Sequence, residues 1–88
     1  MDILKSASAG TFESSDAYVE ISPAKALSVE IESVVKAQFG EAIKTAVCDV
    51  LKELGVEAAN VKVADRGALE CVIRARVETA VLRSKEEK

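Results

Sequence analysis

Eighty-eight residues with 12 basic and 15 acidic side chains, a net charge of −3 and no histidine make one small domain (1–88), and they exclude every histidine-based catalytic or zinc-binding device. No basic run reaches five, and Phe12, Tyr18 and Phe39 are the whole aromatic complement, so neither phosphate neutralisation nor base stacking favours a nucleic-acid partner. Nothing approaches the roughly 20 apolar residues of a membrane span, and Met1-Asp2-Ile3-Leu4-Lys5-Ser6 lacks a signal peptide's apolar run, which predicts a soluble, cytoplasmic protein.

In chain order, residues 1–6 read as a loosely ordered lead-in, with Ile3 or Leu4 tacked to the core. Ala7, Ala9 and Thr11, then Ala17, Val19 and Ile21, fall on alternate positions around a small polar cluster. Period-2 runs on both sides predict a β-hairpin with Glu13 to Asp16 at its tip, where Ser and Asp side chains can bond nearby backbone. Pro23 stops the second strand. Leu27, Val29 and Ile31 alternate with Ser28, Glu30 and Glu32 as a third strand, and the short connection suggests a direct antiparallel return beside the second.

At Ser33 the period changes. Val35, Phe39, Ile43, Ala46, Val47, Val50, Leu51 and Leu54 mark an amphipathic helix from about 34 to 54, with Ser33 as N-cap and Gly55 as the C′ residue. Gly40 inside it costs about 1 kcal/mol against alanine, which close approach to the sheet, or a partner's docking contact, would explain. Val61, Val63 and Ala64 form a fourth strand closed by the turn Asp65-Arg66-Gly67. Residues 68–83 fit a strand by alternation but are rich in helix formers, and the helix is preferred. It stacks Glu70, Arg74 and Glu78 at i,i+4. It also drops Arg76 into the apolar stripe, where the guanidinium must snorkel, find an acid or face a partner. Residues 84–88 read as a loose charged end. The fold class is α+β, a two-layer sandwich of a small mostly antiparallel sheet, ββ(β)αβα, with two helices on one face.

The candidate chemistry is sparse. Ser14 and Ser15 sit on an exposed turn between Glu13 and Asp16, with nothing beside them to activate a nucleophile. A serine that is reachable yet idle suits a site that another enzyme modifies. Glu13 and Asp16 could be an acid–base pair, plain solvated charges or a docking signal for that enzyme. Arg74, Arg76 and Arg83 suit phosphates, or else pair with Glu70 and Glu78. Cys48 and Cys71 lack metal-ligand spacing and read as free, packed core thiols.

Three segments together carry a resemblance: Ala9-Gly10-Thr11-x-Glu13-Ser14-Ser15-Asp16, Gln38-Phe39-Gly40-Glu41-Ala42-Ile43, and Asp65-x-Gly67-Ala68-Leu69-Glu70-Cys71-x-Ile73-Arg74-Ala75-Arg76. In order and spacing they resemble the citrate lyase acyl carrier protein (gamma chain) family. The resemblance implies that Ser14 carries a phosphoribosyl-dephospho-CoA group through a phosphodiester, whose thiol holds an acetyl or citryl thioester. It also implies an acyltransferase (alpha) and a lyase (beta) subunit as partners, a prosthetic-group transferase, and no catalytic residue here. The carrier of malonate decarboxylase is a related alternative, and a protein-interaction module is one of another class.

Overall fold

The computed structural model describes residues 3, 5–33 and 36–85, with side chains in the first helix described from Glu41 onward. The expectations for Leu4, Val35 and 86–88, for the side chain of Phe39 and for the packing at Gly40 lie outside the described residues. The elements are β1 (Ala7–Gly10), β2 (Ala17–Ser22), β3 (Leu27–Ser33), α1 (Lys36–Glu53), β4 (Ala59–Asp65) and α2 (Glu70–Ser84).

Alternation decides which face each strand buries. Ala17, Val19 and Ile21 of β2 and Ala59, Val61 and Val63 of β4 are buried, and they join one core with residues of both helices. The opposite face is wet. Glu20, Lys62 and Glu30 lie side by side across β2, β4 and β3, a lateral charge row suited to water. Helix α1 packs on β3 and α2 on β1 and β2, and the helices meet each other. The two-layer α+β arrangement expected from the pattern is therefore present.

The strand order corrects one expectation. The sheet runs β1-β2-β4-β3, with β1–β2 and β2–β4 antiparallel and β3–β4 parallel. β3 does run opposite to β2, but β4 is inserted between them. A strand joined to the next through a long helix can pair with it in parallel, as β3-α1-β4 does. The more continuously buried strand, β4, takes the centre, while β3 leaves Leu27 exposed and shows Glu30 and Glu32 on the edge.

Helix α1 buries Ile43, Ala46, Val47, Val50 and Leu51 at steps of three and four. It ends as expected at Gly55, whose φ of 73° is left-handed. The Gly55 amide donates to the Lys52 carbonyl (3.1 Å) and the Val56 amide to the Leu51 carbonyl (2.9 Å), the paired bonds of a Schellman stop. Ser33 is the last residue of β3, and its hydroxyl donates to Asp65 Oδ2 (2.7 Å); the cap expected of it falls on residues outside those described. Asp65 is only 2% exposed; its other oxygen accepts the Ala68 amide (2.8 Å), so the carboxylate ties the end of β3 to the turn before α2.

Residues 70–84 are helical, as preferred, with Ile73, Val77, Ala80 and Val81 buried. Leu69 is 71% exposed at the helix start. At the far end the Lys5 amide donates to the Ser84 carbonyl (3.1 Å), and Ile3 is buried in the core. Ser84, grouped with the charged tail by composition, is fully buried, its hydroxyl donating to the Val81 carbonyl (2.6 Å).

Candidate functional site

The β1–β2 hairpin carries Ser14 at its tip. The Asp16 amide donates to the Glu13 carbonyl (3.2 Å), closing a four-residue turn with Ser14 and Ser15 at its centre, both exposed. Ser15 has a φ of 67°, a left-handed conformation that a serine holds only when its surroundings impose it. Here they do. The Ser15 amide donates to the Arg66 carbonyl (2.8 Å) and the Arg66 amide to the Asp16 carbonyl (2.9 Å), so the tip is fastened to the β4–α2 turn by backbone alone.

Asp16 completes the fastening. Its carboxylate takes Arg76 Nε on Oδ1 (3.0 Å) and Arg76 Nη2 on Oδ2 (3.1 Å), a forked pair reaching from α2. The Ala17 amide also donates to Oδ1 (2.7 Å) and the Thr11 hydroxyl to Oδ2 (2.8 Å), while the Glu13 amide donates back to the Thr11 oxygen (3.2 Å). This revises the reading of Asp16 as a solvated or docking charge: it is the knot of the loop. The Arg76 guanidinium first, then the Thr11 hydroxyl and the Ala17 amide, hold the Asp16 carboxyl down at about 2. A carboxyl lowered on folding stabilises the fold above its ordinary value of 3.8, and that contribution disappears as pH falls through about 2. Acid unfolding of the wild type should therefore steepen between those two values, and Asp16→Asn should lack that component.

The other expected arginine roles also shift. Arg74 reaches Glu53 on α1 (3.1 Å), and Arg83 donates to the Ser8 carbonyl (2.8 Å), so neither partner is Glu70 or Glu78. Both cysteines are free, but Cys71 is exposed and only Cys48 is partly packed. Among the described residues no group of three or more His, Cys, Asp or Glu could hold a metal. What sequence reasoning missed is the surround of the tip. Phe12, 58% exposed, stacks on Tyr18 with centroids 4.5 Å apart, and the Arg66 guanidinium lies over the Phe12 ring at 5.8 Å. A phenylalanine two residues before Ser14, on a turn expected to be exposed, was the available signal.

Comparison with known proteins now bears on this tip. The citrate lyase acyl carrier protein of Escherichia fergusonii is 52% identical over 89 residues, covering 99% of this chain and 92% of that one. That of Pectobacterium atrosepticum is 56% identical over 85 residues, covering 96% and 88%. The chain belongs to the citrate lyase acyl carrier protein family. A family model described as the malonate decarboxylase delta subunit (MdcD) also matches residues 4–84. In a crystal structure of a Pseudomonas malonate decarboxylase hetero-tetramer in complex with malonate, one chain superposes with a TM-score of 0.81 at 20% identity, covering 94% of this chain and 87% of that one. At that identity the likeness speaks for the fold. Membership of the citrate lyase acyl carrier family makes this a carrier subunit and not a catalytic one, and implies a covalently held prosthetic group and lyase subunits that act on its load. Among the described residues no helix is long and apolar enough to cross a membrane.

Proposed function

We propose that Ser14 is the residue on which this carrier holds its prosthetic group, and that the group is phosphoribosyl-dephospho-CoA in phosphodiester linkage to the serine oxygen. The observation that carries the reading is the exposed serine at the centre of a turn whose two ends are pinned by backbone to the body of the protein. An attaching transferase needs a hydroxyl it can surround, and a fixed tether keeps a long arm at high effective concentration near its targets. The bound group supplies a thiol that carries the acyl load. The chain's own residues do the rest by position: Asp16 and Arg76 hold the turn, and Ser14 displays its oxygen. Ser15 is a poorer candidate, because its left-handed backbone and bonded amide are part of the turn's fastening.

In this reading the single domain 1–88 works in the cytoplasm between an acyltransferase (alpha) and a lyase (beta) subunit during cleavage of citrate to oxaloacetate and acetate. The 52–56% identity to citrate lyase carriers, against 20% to the malonate decarboxylase chain, favours citrate over malonate. Intact mass spectrometry after co-expression with the prosthetic-group transferase tests it. The wild type and Ser15→Ala should each gain one adduct, and Ser14→Ala none. Equal adducts on wild type and Ser14→Ala would end the proposal.

A further inference from the structure

We infer that Arg66 and Phe12 form a preorganised seat for the phosphodiester anion that joins the arm to Ser14. The inference rests on the carrier reading above and adds residues of this chain to it.

Four arginines are present, and three have acceptors: Arg74 on Glu53, Arg76 on Asp16 and Arg83 on the Ser8 carbonyl. Arg66 is the exception. Its side chain donates to no acceptor among the described residues, and its guanidinium rests over the Phe12 ring. Its backbone, in contrast, is bonded in both directions to Ser15 and Asp16. The side chain therefore leaves the main chain alongside the turn that displays Ser14, with its five donors unspent.

Phe12 lies two residues before Ser14, and its ring is braced by Tyr18. A guanidinium resting on a braced ring loses less freedom on meeting an anion than one waving in water, and its fork matches two phosphate oxygens. The surroundings define where an anion can go. Glu20, Glu30 and Glu32, with only Lys62 against them, line the hollow of about 540 Å³ that Phe12 and Tyr18 border on the open sheet face. Arg66 does not line that hollow, so a phosphodiester is repelled from the sheet and drawn to the tip. Asp16, the nearest carboxylate in sequence to Ser14 apart from Glu13, is already neutralised by Arg76.

The test compares apo and loaded protein by nuclear magnetic resonance, with intact mass establishing loading first. On loading, the Arg66 Nε–H and Phe12 ring resonances should shift, and added salt should reverse the Arg66 shift. In loaded Arg66→Ala the phosphorus signal of the diester should move toward that of a free diester and narrow. Arg66→Lys, which keeps the charge and loses the fork, should fall between. Truncation leaves the backbone bonds of residue 66 in place, and an unchanged apo amide spectrum checks the fold. If Arg66→Ala does not fold, the salt-reversible shift in the wild type decides alone. A mass adduct on Ser14 with Arg66 and Phe12 resonances unmoved overturns the seat and leaves the carrier reading standing. No adduct in any form overturns both.

Discussion

Gly10→Ala is expected to destabilise the protein by about 3–4 kcal/mol. Gly10 closes β1 with a φ of 95°, and a Cβ built there would lie 1.8 Å from the Ala17 carbonyl oxygen and 3.2 Å from Arg76 Cδ. The first neighbour is backbone, held in place because Ala17 pairs with Asp65 of the central strand. No rotamer change can relieve it. For a chain of this length the loss should lower the thermal midpoint by on the order of 15 °C, read by circular dichroism. Gly67→Ala is the control. Gly67 has a similar φ of 90° but open space around it, so only the conformational penalty of about 1–2 kcal/mol remains. Equal effects at the two positions would mean that close approach at Gly10 contributes nothing.

Asp16→Ala and Arg76→Ala should each leave a folded protein whose tip is loose, and prosthetic-group attachment should slow by about tenfold to a hundredfold. The transferase must meet Ser14 in one geometry, and either substitution removes the forked bond that holds the turn against α2. Asp16→Ala also frees the Thr11 hydroxyl and the Ala17 amide, so it should be the worse of the two. Because both act on one contact, the double variant should be little worse than Asp16→Ala alone. Glu13→Ala should load normally, since that side chain makes none of these bonds. Amide hydrogen exchange at Ser15 and Ala17 gives a readout independent of the transferase: protection should fall in both Asp16 and Arg76 variants. Unchanged exchange with slowed loading would reassign Asp16 to docking.

Local features of this fold were legible in sequence for local reasons. Period-2 runs on either side of Glu13-Ser14-Ser15-Asp16 located the hairpin, and Gly55 stopped α1 where a left-handed residue was needed. Alternation reports which face a strand buries but is silent on its neighbours, so the insertion of β4 between β2 and β3 left no trace. The bond from the Ser33 hydroxyl to the buried Asp65 joins residues 32 apart, beyond any local pattern, and it belongs to the sheet. The site was half visible. Ser14 on an exposed tip followed from the pattern and the family resemblance. The Asp16–Arg76 clasp joins residues 60 apart in sequence, and only the misfit of an arginine in the apolar stripe of α2 hinted at it. Arg66 was hidden inside a turn signal because its importance comes from backbone bonds to the hairpin, which no local window contains.

Peptide fragmentation of the loaded protein tests the central claim most directly, because Ser14 and Ser15 are adjacent and both exposed. Fragment ions should place the whole added mass on Ser14, with Ser15 unmodified. An adduct on Ser15, or on any residue away from the hairpin tip, would contradict the account.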